Sequence, residues 1–165
     1  MIGASKRAVH LAQRVLDAAV EHRVHIAVAE SLTGGALAAT LVSVPGASEV
    51  FRGGAVTYAT DTKASVLRVD AAHLARTGPV DPIVAQQMAR GVAQLFGADY
   101  ALATTGVAGP GSADGHDAGT VFIGVVTPNG SAATECHFAG DRDAVRAQTV
   151  ERALEILLAA LEEMQ

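Results

Sequence analysis

The chain has 165 residues, of which 50% are hydrophobic and 4% aromatic, and its formal net charge at pH 7 is −5. This length predicts one domain, residues 1–165, with a core of aliphatic side chains. The acidic balance argues against nucleic acid as a partner, because proteins that bind the phosphate backbone carry a basic surface. We expect no membrane span, since no apolar run approaches roughly 18 residues. A single cysteine, Cys136, favours a reducing, cytoplasmic compartment.

Apolar periodicity and turn residues predict helices that alternate with strands along the chain. The pattern predicts helices over 6–21, from the turn at 31 to about 44, after 60, after 70, over 82–96 and after Asp141, and strands over 25–29, 53–58, 100–103, 121–126 and 134–138. The clearest helix has Asp81 as its cap, Pro82 in its first turn and Gly97 at its end. This order predicts a single α/β domain, a mixed sheet with helices on both faces.

The turn after the first strand is the first candidate site. An apolar run over 26–29 ends at Glu30 and Ser31, and the chain then turns through Gly34 and Gly35 into a helix. A hydroxyl at such a junction lies beside unpaired backbone N–H groups and the positive end of a helix dipole, where it binds an anion or acts as a nucleophile beside an oxyanion hole. The alternative is that Ser31 or Thr33 simply caps the helix, since helix N-termini far outnumber active sites.

A second glycine-bearing loop, residues 105–111, also follows a strand. In open α/β sheets, ligands bind at the carboxyl ends of strands, so this loop and the Ser31 turn can border one crevice. Neither loop has the sequence of a Walker A motif or of the dinucleotide fingerprint. Glycine turns are more often only turns, so the loop does not by itself indicate a ligand.

A nucleophilic serine needs a base. The six histidines lie on predicted surface helices, at strand ends or in a loop, which favours solvated or packed side chains over a base. The Asp114–Asp117 segment contains His116, but without a second ligand cluster a solvated turn is favoured over a metal site. Lys63 follows the strand that ends at Tyr58, and a lysine whose pKa is lowered by burial or nearby positive charge can activate serine. The alternative for Lys63 is an ordinary surface lysine.

Five stretches of the chain form a recognisable set, residues 29–35, 53–58 with Lys63, 105–110, 119–121 and 140–146. In this order they resemble the signature of the CinA C-terminal-domain family, the nicotinamide-nucleotide amidases or NMN deamidases. The resemblance implies a three-layer α/β/α sandwich with a mixed, mostly parallel sheet covered by helices on both faces. It also implies hydrolysis of the carboxamide of nicotinamide mononucleotide (NMN) to nicotinate mononucleotide and ammonia, with no metal and no organic cofactor.

The resemblance implies Ser31 as the nucleophile, Lys63 as its base and Tyr58 close to both. The chemistry also requires an oxyanion hole and a phosphate site. For the oxyanion, the candidate donors are the N–H groups of the turn formed by Thr33, Gly34 and Gly35. For the phosphate, the candidates are Thr105, the backbone N–H groups of Gly106 and Ala108, and Arg142 or Arg146. The alternative for both arginines is a charge that faces solvent in the first turns of a helix.

The chain departs from the family pattern at Leu32, where cysteine is usual, at Asp81-Pro82, where Ser-Glu is frequent, and at His116-Asp117, where Lys-Pro or a similar pair is found. We expect the His116 loop to alter how the substrate is covered. Larger members carry a domain that resembles molybdopterin-binding proteins and is associated with pyrophosphatase activity, which we expect to be absent here.

We expect a homo-oligomer, with a dimer favoured, that binds the small nucleotide NMN and neither nucleic acid nor membrane. Two rival functions stay open at this point. One is a non-catalytic nucleotide-binding module, and the other is an amidase that acts on another pyridine nucleotide.

Overall fold

Five strands form one sheet in the computed structural model, which describes residues 3–164. The strands are β1 (Ile26–Glu30), β2 (Phe51–Val56), β3 (Tyr100–Gly106), β4 (Thr120–Thr127) and β5 (Gly130–His137). Their order across the sheet is β2-β1-β3-β4-β5. β1 pairs in parallel with β2 and β3, whereas β4 pairs antiparallel with β3 and β5. The sheet is therefore mixed, and within the described chain β4 alone runs against the other strands.

Helices cover both faces of the sheet, as predicted. They are α1 (Lys6–His22), α2 (Ala36–Val42), α3 (Thr60–Leu67), α4 (Ala71–Thr77), α5 (Pro82–Phe96) and α6 (Arg142–Glu162). A 3₁₀ turn at Ala47–Glu49 precedes β2. The core on one face joins α1, α2 and α6 to the sheet, and the core on the other joins α3, α4 and α5 to it. The two cores together make a three-layer α/β/α sandwich.

The interior strand β1 contributes to both cores because its side chains alternate between the two faces. Ile26 and Val28 belong to the core with α1, α2 and α6, whereas Ala27 and Ala29 belong to the core with α5. All five residues of β1 are buried. The small alanine side chains leave room for α5 to lie close to the sheet.

The local sequence signals produce the expected helix ends, whereas β2 lies two residues before the predicted strand 53–58 and β5 begins at Gly130, four residues before the predicted start. Asp81 accepts hydrogen bonds from two N–H groups at the start of α5, Gly97 ends that helix with a positive φ, and Asp141 caps α6. The predicted hairpin at Asn129-Gly130 joins β4 to β5. No helix within residues 3–164 is long and apolar enough to cross a membrane. The ends of the predicted domain, residues 1–2 and 165, lie outside the described residues.

Three parallel strands bring three loops to one edge of the sheet. β1 ends at Glu30, β2 at Val56 and β3 at Gly106. Register fixes these ends relative to one another, since Glu30 pairs with Val56 on one side and Thr104 on the other. The Ser31 turn, the segment after β2 and the loop after β3 therefore meet at the carboxyl edge.

Candidate active site

Ser31 is the first residue after β1 and is 9% exposed. Its backbone N–H donates to the carbonyl of Thr104 at 3.0 Å, which continues the sheet by one residue. Its Oγ accepts a hydrogen bond from the Nζ of Lys63 at 3.0 Å. The N-cap residue of α2 is Gly35, so no side chain at the N-cap position bonds to the helix. The interpretation that Ser31 or Thr33 caps this helix is therefore wrong.

Glu30 supplies the cap from the end of β1. Its carboxylate accepts from the backbone N–H groups of Gly35, Leu37 and Ala38 at distances between 2.8 and 3.1 Å. The carboxylate is buried, and a negative charge at a helix N-terminus is stabilised by the helix dipole. These bonds hold the turn that follows Ser31 against the first turn of α2.

The hydrogen bonds of the turn change which N–H groups are available to an oxyanion. The N–H of Gly34 donates to the carbonyl of Ser31 at 3.0 Å, and the N–H of Gly35 donates to Glu30. Within residues 3–164, the N–H groups of Leu32 and Thr33 have no hydrogen-bond acceptor. Of the three predicted donors, only Thr33 therefore keeps a free N–H, and the N–H of Leu32, directly after Ser31, is free as well.

Lys63 lies in α3 with its side chain fully buried. Besides Ser31, its Nζ donates to the carbonyl of Thr57 at 2.6 Å and to that of Tyr58 at 3.4 Å. Burial lowers the pKa of Lys63 from its ordinary 10.5 to about 8, and the carboxylate of Asp114 opposes part of this change. Roughly a tenth of the amine is then neutral at pH 7. Lys63 is not a surface lysine, and it can accept a proton from Ser31.

A cleft of about 360 Å³ opens above this pair. Ser31, Tyr58, Asp114 and Arg142 all line it. Tyr58 is 60% exposed, and its hydroxyl accepts from Arg142 Nη2 at 3.1 Å. Arg142 Nη1 donates to the carbonyl of Gly109 at 2.8 Å, so the guanidinium is fixed between two loops. The cleft is large enough to hold part of a ligand of nucleotide size.

The structure divides the predicted phosphate-binding residues into two groups. Thr105, Gly106, Ala108 and Arg142 line the cleft. The Thr105 hydroxyl donates its proton to the carbonyl of Pro79 at 2.7 Å, which leaves it only as an acceptor. In this structure the Thr105 hydroxyl therefore has no proton left to donate to a phosphate, the role predicted for it.

Arg146 does not line the cleft. Its Nε donates to the carbonyl of Leu32 at 2.9 Å, and its Nη2 donates to that of Thr33 at 3.1 Å. The two parallel bonds hold the Ser31 turn from the side of α6. Arg146 is thus placed to hold the turn that carries Ser31 rather than to contact a ligand.

Sequence reasoning missed the capping role of Glu30 and the position of Asp114 in the cleft. For Asp114 a signal was present, because the dipeptide Asp114-Gly115 is typical of a tight hairpin turn that aims its tip in a fixed direction. His116, in the same segment, packs its ring edge-to-face on Phe122 at a centroid distance of 5.9 Å. Within residues 3–164, no three His, Cys, Asp or Glu side chains are grouped to hold a metal ion.

The fold and the buried Ser–Lys pair define a three-layer α/β protein with a cleft at the carboxyl edge of its sheet. The model of the CinA C-terminal domain matches residues 8–161, and the chain belongs to this family. It is 47% identical over 143 residues to a CinA-like protein from Frankia casuarinae, a match that covers 87% of this chain and 33% of that protein. A CinA-like protein from Geobacter metallireducens is also 47% identical, over 133 residues. The chain therefore spans about a third of the length of these relatives.

Two solved structures show the same fold over nearly the whole of both compared chains. A CinA superfamily protein from Klebsiella pneumoniae 700603 is 36% identical with a TM-score of 0.91, and the match covers 94% of this chain and 98% of that one. A competence/damage-inducible protein from Agrobacterium tumefaciens is 34% identical with a TM-score of 0.91, and the match covers 97% and 99% of the two chains.

Proposed function

We propose that the protein is an amidohydrolase that cleaves the carboxamide of NMN and releases nicotinate mononucleotide and ammonia. The observation that supports this proposal most strongly is the contact between the buried Lys63 amine and the Ser31 hydroxyl at the cleft. An amine with a pKa of about 8 is neutral often enough to act as a base near neutral pH. A serine activated in this way is a nucleophile for an acyl-transfer reaction.

In the first half of the proposed reaction, Ser31 Oγ attacks the carboxamide carbon while neutral Lys63 takes the hydroxyl proton. The free N–H groups of Leu32 and Thr33 donate to the developing oxyanion. The Lys63 ammonium then protonates the departing nitrogen, ammonia leaves, and a nicotinyl ester of Ser31 remains. In the second half, water attacks this ester while neutral Lys63 takes its proton. Lys63 then returns a proton to the departing Ser31 oxygen, and the nicotinate product leaves with its remaining proton lost to solvent.

The carbonyls of Thr57 and Tyr58 assist by orienting Lys63. Their bonds hold Nζ toward Ser31, and a neutral amine still has two N–H groups from which these carbonyls can accept. Arg142, which also lines the cleft, carries the positive charge for the phosphate of the nucleotide. The pyridinium charge of NMN makes its carboxamide carbon more electrophilic, which suits a base of modest strength.

Ammonia release from the purified protein tests this proposal. The substrates are NMN, nicotinamide, nicotinamide riboside and NAD, and we expect NMN to be the best of them. Ser31→Ala and Lys63→Met should each lower the rate by at least about 1,000-fold, because each removes a group that acts in the chemical step. The exposed Ser65→Ala and Lys6→Met are matched controls that should retain the wild-type rate.

Turnover by Ser31→Ala within a few-fold of wild type would contradict the nucleophile assignment. Tight binding of NMN by the wild-type protein without ammonia release would identify a binding module instead. Release of ammonia from another pyridine nucleotide but not from NMN would keep the mechanism and change the substrate.

A further inference from the structure

The tip of the loop after β3 is a small, well-defined hairpin. Ala113 and His116 exchange two backbone hydrogen bonds, of 3.0 and 2.9 Å. Between them, Asp114 has a φ of 51° and Gly115 a φ of 79°. Two successive residues with positive φ form a type I′ turn, for which Asp-Gly is a preferred pair. The backbone therefore holds Asp114 in a conformation that few non-glycine residues adopt.

Several contacts anchor this hairpin to the body of the protein. The N–H of Gly119 donates to the carbonyl of Val107 at 2.7 Å and closes the base of the loop. The Ser112 hydroxyl donates to Asp117 at 3.0 Å across it, and the His116 ring packs on Phe122 in β4. The backbone position of Asp114 is therefore set by the loop, and its exposed side chain lines the cleft.

Asp114 and Arg142 are the two charged residues among the described residues that line the cleft. Arg142 is bonded to Tyr58 and Gly109, and within residues 3–164 no ion pair or side-chain hydrogen bond involves the Asp114 carboxylate. The negative charge of Asp114 nevertheless raises the pKa of Lys63, and it thereby opposes part of the lowering caused by burial. The cleft is therefore lined by one carboxylate and one guanidinium, and no ion pair within residues 3–164 joins the two.

We propose that Asp114 is a specificity-determining residue that binds the cationic ring of the substrate, so that the cleft selects a pyridinium over a neutral ring. The inference rests on the proposed function, because the attack by Ser31 fixes the ring beside the reacting pair. A nucleotide with a positive ring and a negative phosphate matches the charges of Asp114 and Arg142 in the cleft. The pair of opposite charges distinguishes such a zwitterion from a molecule with the same shape and an uncharged ring.

The test compares NMN with its dihydro form, in which the ring is neutral and the ribose, phosphate and carboxamide are retained. Binding is measured by calorimetry in the Ser31→Ala background, where turnover does not interfere. Asp114→Asn is the variant of choice because asparagine tolerates the same positive φ and keeps the hairpin. Asp117→Asn, in the same loop, is the matched control, since its side-chain oxygen can still accept from Ser112.

We expect Asp114→Asn to weaken NMN binding by roughly 5-fold, the upper end for a solvent-exposed ion pair, and to leave the dihydro form unchanged. Asp117→Asn should affect neither ligand. Equal weakening of both ligands would overturn the inference, because Asp114 would then contact the ribose or carboxamide, and no change for NMN would overturn it as well. Failure of both ligands to bind would also reject it, and ammonia release from NMN by the wild-type protein then shows whether the proposed function fails with it.

Discussion

The reactivity of Lys63 is set by two opposing influences on its amine. Burial disfavours the ammonium form, whereas the Asp114 charge favours it, and burial is the larger influence. The unfolded chain keeps the ordinary pKa of 10.5, so between about pH 8 and 10.5 the unfolded state binds more protons than the folded state. The free energy of unfolding therefore rises with pH through this window, and below it the buried amine costs about 3 kcal/mol. The molecule keeps this unfavourable group where the proposed reaction needs it.

The pH dependence of the proposed reaction follows from the same value. We expect kcat/KM for NMN to rise with pH through one ionisation near 8, the pKa of Lys63. This rise of kcat/KM with pH, the ascending limb of the profile, should vanish in Lys63→Met. Lys63→Arg should be inactive, because arginine does not give up its proton. Asp114→Asn should move the limb to lower pH, since Asp114 raises the pKa of Lys63. A limb that stays in place in Lys63→Met would assign the ionisation to another group.

At the scale of elements, the Ser31 turn is held by residues from three directions. Glu30 bonds it to α2, Arg146 reaches it from α6, and the Thr33 hydroxyl lies 2.7 Å from that of Thr104 in β3. All these contacts are buried or partly buried, where a hydrogen bond is costly to leave unmade. The turn is thus pre-organised, so that Ser31 and the free N–H groups would keep their positions as charge develops in the proposed reaction.

The two arginines of α6 should therefore differ in their kinetic effects. Arg142→Ala should raise KM for NMN, by a loss of about 1.5–3 kcal/mol of charge-assisted binding, and change little for nicotinamide riboside, which lacks the phosphate. Arg146→Ala should lower kcat for both substrates alike, because it releases the carbonyls of Leu32 and Thr33. Steady-state kinetics with both substrates measure this difference. The opposite pattern, a phosphate-dependent effect of Arg146 and none of Arg142, would exchange the two roles.

Across the whole molecule, the position of Lys63 depends on how α3 packs against α5. Gly91 in α5 faces the end of α3, and a Cβ at this position would overlap the carbonyl of Leu67. Gly124 in β4 likewise has no room for a side chain against the backbone of α5 at Ala85. Close backbone contacts thus link the sheet to α5, and α5 to α3, the helix that carries Lys63.

Gly91→Ala should be destabilising although alanine is the better helix former by about 1 kcal/mol. The new methyl group must displace backbone at the end of α3, and we expect a net loss of about 2–3 kcal/mol in the free energy of unfolding, together with reduced activity. Urea denaturation measures the first effect and ammonia release the second. Gly3→Ala, with nothing within 4 Å of the added carbon, is the control. A variant as stable as wild type would show that α3 moves freely relative to α5.

Local signals in the sequence were sufficient for the elements but not for the reacting pair. Caps such as Asp81 and Asp141 and the apolar periodicities act over a few residues, so their consequences can be predicted from short segments. The positions of Ser31 and Lys63 were implied by a resemblance that spans the whole chain. Their contact is possible because both follow neighbouring parallel strands, which end at the same edge of the sheet.

The tertiary structure decided what surrounds this pair. Arg146 and Leu32 are 114 residues apart, and Asp114 lies 51 residues beyond Lys63, so no short-range pattern connects them. Even Glu30, close to α2 in sequence, could not be assigned as its cap, because cap residues normally stand at the helix boundary and this one acts from the end of a strand. Short-range geometry determines which element a segment forms, whereas burial and electrostatics at a site depend on groups that only packing brings together.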